Sequence, residues 1–135
     1  MRQINEIVIH CSATKEGQPF RAKDIDNWHK SQGWESIGYH YVVGLDGKIE
    51  RGRPVNKIGA HCKGHNENSI GICYIGGLDK NNKPKDTRTE KQKTALSALL
   101  TTLKGVFTQA TIHGHNNLDK RDCPCFDAQK EYKDL

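Results

Sequence analysis

The fold is decided by a short stretch near the start of the chain, which reads IVIHCSAT over residues 7–14. Its first three residues are β-branched and apolar, which is typical of a strand buried in a sheet. A polar segment that begins at His10 follows directly. In open α/β sheets, ligands bind beyond the carboxyl ends of the strands. The stretch therefore predicts a core strand that carries His10 to the edge where a functional site is expected.

The next part of the chain supplies a helix, a hairpin and a long loop. Apolar residues at helical spacing predict a helix over residues 21–32. Residues 38–43 and 48–51 are predicted strands, and the Asp-Gly turn signal at 46–47 favours an antiparallel hairpin between them. Residues 56–68 are polar and predict a loop, and loops of that length are often functional.

The second half of the chain adds two strands and an amphipathic helix. Residues 69–75 predict a further core strand, and residues 110–113 predict a short last strand. Thr87 and Glu90 match a capping box, which predicts that a helix begins there. The apolar stripe of this helix consists of Leu96, Leu99, Leu100 and Leu103. We predict a single α/β domain over residues 1–135, in which helices pack on both faces of a mixed central β-sheet to give three layers.

Composition bounds the possible classes of protein. The chain has 135 residues, 34% of them hydrophobic, and its formal net charge is +5. No apolar stretch approaches the roughly 20 residues that span a bilayer, so we expect no membrane association. The first residues carry no apolar signal region and no small-residue cleavage site, which predicts cytoplasmic synthesis without a signal peptide. Because thiols stay reduced there, the five cysteines fit free thiols or metal ligands better than disulfides.

The positive charge has two interpretations. Basic domains often bind nucleic acid, but the lysines of residues 80–93 alternate with acidic side chains, and no nucleic-acid-reading motif accompanies them. A basic surface also suits an anionic polymer such as a bacterial cell wall. Charge by itself does not separate the two interpretations, and the missing motif leads us to expect no nucleic-acid partner.

Metal-binding side chains are densest between residues 113 and 125. This segment holds His113, His115, Cys123 and Cys125, and zinc prefers imidazole nitrogen and thiolate sulfur as ligands. On a strand, the two histidines would point to the same side, so their spacing leaves either one as the ligand. The Cys-Pro-Cys spacing matches no zinc finger. A polar loop with two buried structural cysteines is the alternative interpretation.

His10 strengthens the metal interpretation, because the fold could bring it to the same place. A lone histidine after a strand is more often a structural residue. Together with a histidine and a cysteine of the later segment, however, it would make three protein ligands. Three ligands and one open position are the arrangement of a catalytic zinc site, whereas structural sites fill all four positions.

Several segments resemble, in order, the type 2 N-acetylmuramoyl-L-alanine amidases. These zinc amidases include phage enzymes, which are the most similar in appearance, and share their fold with peptidoglycan recognition proteins. The resemblance covers most of residues 7–127, and an ordered set of blocks is more specific than one motif. The matching segments are IHCSAT at 9–14, WHK at 28–30, GW at 33–34, GYHY at 38–41, GAH at 59–61, NSIGI at 68–72, GG at 76–77, and His115 followed by Cys123-Pro124.

The resemblance implies one Zn²⁺ per chain and a set of site residues. The implied zinc ligands are His10, His115 and Cys123. Tyr39 is implied beside the metal as a catalytic residue, and His61 at the rim as a substrate-binding residue. In the phage type a lysine lies two residues before the ligand cysteine, and Arg121 occupies that position here. Arginine keeps the positive charge but presents a planar fork, so we expect its catalytic role to survive with altered efficiency.

The implied reaction is hydrolysis of the amide bond between N-acetylmuramic acid and the L-alanine of the stem peptide in bacterial peptidoglycan. A zinc-bound water has a pKa of about 7, so a nucleophile is available at neutral pH. Tyr39 could position or relay a proton, and Arg121 could stabilise the oxyanion. An enzyme made without a signal peptide would act on the wall after release, as in lysis by a phage or prophage. We therefore expect a monomeric endolysin.

Two other functions fit the same resemblance. A module that binds peptidoglycan without cleaving it is one, although relatives that only bind typically lack the ligand cysteine, which this chain keeps at Cys123. An amidase that recycles wall fragments in the cytoplasm is the other, and the sequence does not decide between recycling and lysis.

Overall fold

The computed structural model describes residues 2–135, which form one mixed five-stranded sheet, a small two-stranded sheet and four α-helices. The order of strands in the main sheet is β4-β3-β5-β1-β7. Its strands are β1 (Glu6–Cys11), β3 (Tyr41–Val43), β4 (Ile49–Arg51), β5 (Ser69–Tyr74) and β7 (Thr111–Gly114). The small sheet pairs β2 (Thr14–Lys15) with β6 (Gly77–Leu78). The helices are α1 (Ala22–Ser31), α2 (Glu90–Val106), α3 (His115–Leu118) and α4 (Ala128–Glu131).

Strand β1 is the centre of the parallel part of the sheet. It pairs in parallel with β5 on one side and with β7 on the other. Strand β3 also runs parallel to β5, whereas β4 returns antiparallel to β3 and forms the expected hairpin. The carboxyl ends of β1, β5 and β7 therefore meet at one edge of the sheet.

Helices α1 and α2 cover opposite faces of the sheet, so the predicted α/β class and its layers are confirmed. Ile7 and Ile9 of β1 pack in one cluster with the buried leucines of α2. Val42 and Cys73 belong to a second cluster with Ile25 of α1. Because side chains alternate along a strand, His10 points away from the α2 cluster and toward the α1 side. That side holds the candidate site.

The start of α2 differs from the prediction. The helix begins at Glu90 with Thr89 as its N-cap, two residues later than the sequence pattern indicated. The Thr89 hydroxyl accepts the Gln92 N–H at 3.1 Å, and the Gln92 side-chain oxygen accepts the Thr89 N–H at 2.9 Å. Thr87 has another partner, because its hydroxyl accepts the Gly77 N–H at 2.8 Å. Two overlapping capping patterns occur in this segment, and tertiary contacts decide between them.

Two features of the carboxyl-terminal part were not predicted. The short helix α3 begins at His115, directly after β7, and α4 packs beside β7. Arg88 is buried and ties α4 to the rest of the fold by donating to Glu131 at 2.7 Å and to the Tyr132 hydroxyl at 3.1 Å. Across residues 2–135, the structure contains no helix with the length and apolar character that a membrane crossing requires.

Candidate metal centre

Three candidate ligands converge at the carboxyl edge of the sheet. His10 ends β1, His115 begins α3, and Cys123 lies in the loop before α4. Their ligand atoms all lie within 4.8 Å of one another. Register explains how the two histidines meet, since β7 is aligned with β1 so that Gly114 lies opposite Ile9. His115 consequently follows at the level of His10, and their ring centroids are 4.6 Å apart.

The same register separates His113 from this cluster. His113 lies opposite Val8, two residues and about 7 Å back along the strand from the level of His10. Its ring makes hydrogen bonds with the Thr111 hydroxyl at 2.8 Å and with the Gln129 amide at 2.7 Å. It also lies 3.5 Å from the Glu6 carboxylate. Of the two histidines that sequence spacing left open, the structure therefore brings His115 to His10.

Cys123 is positioned by contacts on both sides of its loop. Its sulfur accepts the Cys11 N–H at 3.2 Å and lies 3.8 Å from Nδ1 of His10. The next residue is fixed as well, because the Tyr74 hydroxyl donates to the Pro124 carbonyl at 2.7 Å. These contacts hold the thiol at the carboxyl edge of β1.

The two candidate histidine ligands are neutral at physiological pH. Burial lowers the pKa of His10 well below its usual value, and the neighbouring His61 and His115 lower it further. Burial also lowers the pKa of His115, and the nearby positive charge of Arg121 acts in the same direction. A neutral imidazole has a free lone pair, which a metal ligand requires.

Tyr39 lies beside the cluster, with its ring centroid 5.1 Å from that of His10. Desolvation of the phenol raises the pKa of Tyr39 well above its usual value. The hydroxyl therefore keeps its proton at neutral pH and is able both to donate and to accept a hydrogen bond.

Arg121 occupies an exposed position two residues before Cys123. Its Nε donates to Asp119 at 3.2 Å, and about half of each side chain is accessible to solvent. This ion pair places the positive charge next to the cluster without burying it.

His61, which the resemblance implied at the rim of the site, is half-buried and contacts His10. Its Nδ1 is 2.9 Å from Nε2 of His10, and the two rings meet edge to face with centroids 4.9 Å apart. Burial is the main cause that lowers the pKa of His61 to about 3, so this imidazole is neutral as well. Its contact with a candidate ligand comes from a loop far away in sequence, and spacing gave no sign of it.

Over residues 1–126, the sequence matches the family described as N-acetylmuramoyl-L-alanine amidase. The chain belongs to the N-acetylmuramoyl-L-alanine amidase family. This match confirms the family resemblance and the prediction of an amidase.

Relatives of this amidase are similar over nearly its whole length. The endolysin of Enterobacteria phage K11 is 37% identical over 98% of this chain and 87% of its own length. The endolysin of Escherichia phage T7 is 40% identical over 92% of this chain and 82% of its own length. Among solved structures, the N-acetylmuramoyl-L-alanine amidase LysC from Clostridium intestinale URNW superposes with a TM-score of 0.81 at 31% identity, covering 96% of this chain and 82% of that one.

The candidate ligands of the amidase open into a cavity of about 580 Å³. Its other lining residues include Tyr39, His61, Lys63, Asp119, Arg121 and Trp34. Trp34 is 39% exposed, and its ring lies 4.4 Å from that of His29. Its position after the helix-ending Gly33 is the sequence feature that could have indicated an exposed wall of the cavity.

The donor set of the amidase fits zinc. Two neutral imidazoles and one thiol converge from three segments, and nitrogen and sulfur are the donors that zinc prefers. The three donors face a cavity on their remaining side, which matches a catalytic site with one open position rather than a closed structural site.

Proposed function

We propose that the chain is a zinc-dependent peptidoglycan hydrolase that cleaves the amide bond between N-acetylmuramic acid and the L-alanine of the stem peptide. His10, His115 and Cys123 would hold one Zn²⁺ per chain. The observation that carries the proposal is the convergence of these donors at an open cavity in a member of the amidase family. Bound zinc would supply a Lewis acid and an acidified water for amide hydrolysis.

The other residues of the cavity have separate roles in the proposed reaction. The neutral phenol of Tyr39 would orient the attacking water through its hydroxyl and would relay a proton from that water to the departing amine. The guanidinium of Arg121 stabilises the negative charge that develops on the carbonyl oxygen of the substrate. His61 and Trp34 contact the substrate from the walls of the cavity.

The biological setting proposed is that of a phage or prophage endolysin. The phage endolysins to which the chain is similar match nearly the whole chain, which supports this role over that of a recycling enzyme. The chain would be made in the cytoplasm, act as a monomer and reach the peptidoglycan after release. Bacterial peptidoglycan is the partner, and its anionic character suits the net charge of +5.

Purified Gram-negative peptidoglycan, incubated with the zinc-loaded chain, tests the proposal. We expect new amino termini from L-alanine, and metal analysis should give one zinc per chain. Cys123→Ser and His115→Ala should each lower the rate at least about 100-fold and lower the zinc content. His113→Ala is the matched control, because His113 lies outside the cluster and its replacement should leave both quantities unchanged.

Two results would contradict the proposal. Retained activity in Cys123→Ser or His115→Ala would reject the ligand set. Stoichiometric binding of the wall without release of amino termini would favour the non-catalytic binding module.

A further inference from the structure

His61 makes two hydrogen bonds through its ring. Its place in the wall of the cavity does not explain them. Its Nδ1 lies 2.9 Å from Nε2 of His10, and its Nε2 lies 3.0 Å from the Ser69 hydroxyl. Ser69 is the first residue of β5 and is completely buried. His61 thus connects a candidate zinc ligand to the core of the sheet.

The surrounding backbone determines the position of the His61 ring. Gly71 of β5 leaves room for it, since a Cβ at that position would come within 2.6 Å of the ring. Gly59 borders the ring on another side, where a Cβ would lie 2.8 Å from its Cδ2. The side-chain oxygen of Asn66 accepts the N–H groups of His61 and Cys62, each at 2.9 Å, which fixes the loop. Protein contacts alone therefore define the position of the His61 ring.

The two ring nitrogens of His10 have different neighbours. Nδ1 lies 3.8 Å from the Cys123 sulfur, on the side of the candidate ligands, and Nε2 faces His61. To bind a metal through Nδ1, a neutral His10 must carry its proton on Nε2. That proton has to be donated to Nδ1 of His61. His61 must then carry its own proton on Nε2, where the Ser69 hydroxyl accepts it.

We propose that His61 is a positioning residue that acts through His10. By accepting the Nε2 proton, it holds the His10 ring in place and keeps the lone pair of Nδ1 directed at the metal position. Ser69 supports it by accepting the His61 proton. The inference rests on the proposed zinc site and adds a function for His61 beyond contact with the substrate. Hydrogen-bonded partners of metal-binding histidines fix the ring and its tautomer in this way.

The affinity of the metal-stripped chain for Zn²⁺ alone, measured by competition with a chelator, tests the proposal without any substrate. His61→Ala removes the acceptor and should weaken zinc binding about 10- to 100-fold. His61→Asn keeps an amide oxygen near the former position of Nδ1, so most of the affinity should return. His113→Ala and His113→Asn are the matched controls and should bind zinc as the unchanged chain does.

A second measurement needs no substitution at His61. In ¹⁵N-labelled, metal-free chain near neutral pH, long-range proton–nitrogen NMR should show the proton of His10 on Nε2 and its Nδ1 unprotonated. His61 should show the same tautomer. This readout keeps the proposal testable even if His61→Ala fails to fold, and a packing role alone would not produce this pattern.

The outcomes separate this inference from the proposed function. If the unchanged chain binds zinc and His61→Ala binds it within about twofold, the positioning role is rejected and the zinc site stands. A proton on Nδ1 of His10 would reject the role in the same way. If His61→Asn binds zinc as weakly as His61→Ala does, the hydrogen bond to His10 does not explain the loss of affinity, and the proposal fails. If the unchanged chain does not bind zinc at these residues, both proposals fall.

Discussion

Arg121 stands where the resemblance to phage amidases implies a lysine, and this substitution has a chemical consequence. A guanidinium keeps its charge at any physiological pH but is a flat, fixed fork, whereas a lysine ammonium is a compact and flexible point charge. Here the fork is shared with Asp119 at 3.2 Å. The charge near the cavity is therefore both exposed and partly neutralised.

We expect Arg121→Ala to lower kcat about 100-fold, because removing one donor that stabilises an oxyanion costs about 2.7–4 kcal/mol or somewhat less at an exposed site. Arg121→Lys should keep kcat within about tenfold of the unchanged chain. Initial rates on soluble wall fragments, with kcat and KM separated, provide the measurement.

Lys120→Ala is the control for this substitution, since it removes a neighbouring exposed positive charge from the same loop. An equal loss of kcat in Lys120→Ala and Arg121→Ala would show that only the general charge of the loop matters. An unchanged kcat in Arg121→Ala would remove Arg121 from the catalytic residues.

At the scale of single residues, the sequence predicted one part of the candidate site and left another part undetermined. The β-branched run before His10 was enough to place that histidine at the end of a strand. Two-residue spacing could not choose between His113 and His115, because the choice depends on how β7 is aligned with a strand more than 100 residues earlier. The contact of His61 with His10 depends on the space that the missing side chain of Gly71 leaves for the ring. No local sequence pattern indicates that space.

At the scale of elements, α2 shows how tertiary contacts select one of two local signals. Thr87 and Thr89 both precede an acidic or amide side chain at capping distance. The hydroxyl of Thr89 also donates to the Leu45 carbonyl at 2.8 Å, and Gln92 reaches the Ile75 carbonyl at 2.9 Å. These contacts just beyond the ends of β3 and β5 favour the later start. The helix itself was predictable from its leucines, whereas its first residue was not.

Thr89→Ala should lower the free energy of unfolding by about 1 kcal/mol, because the substitution removes an N-cap hydrogen bond. Denaturant unfolding at constant pH measures the change. Thr94→Ala, at an exposed position of the same helix, is the control and should be neutral or slightly stabilising. A loss at Thr94 as large as that at Thr89 would mean that capping does not explain the effect.

At the scale of the whole molecule, the candidate ligands join parts of the fold that are distant in sequence. β1, α3 and the loop before α4 each contribute one donor. The layers were predictable because each element carries its own apolar pattern. The contacts that α3 and α4 make at the edge of the sheet were not, because both helices are too short to show a periodic pattern.

Zinc should therefore stabilise the entire chain. At a free zinc concentration about 1,000 times Kd, binding to the folded state adds about 4 kcal/mol to the free energy of unfolding. For a domain of this size we expect Tm to rise by about 10 °C. Calorimetry with added zinc, and again after chelation, measures the shift.

Cys123→Ser is the control for the metal, and most of the rise in Tm should disappear in that variant. An identical Tm for the loaded and the chelated wild-type chain would contradict a site formed by the folded protein.

The positions of the candidate ligands along the chain also set the order in which the site is completed during synthesis. The ribosome delivers His10, Tyr39 and His61 early, and β1 and β5 are able to pair before the rest of the chain exists. His115 and Cys123 arrive later, after the whole of α2. A nascent chain that stops short of β7 holds one of the three candidate ligands, so the candidate site is complete only after the last strand and the loop that follows α3 have both been made.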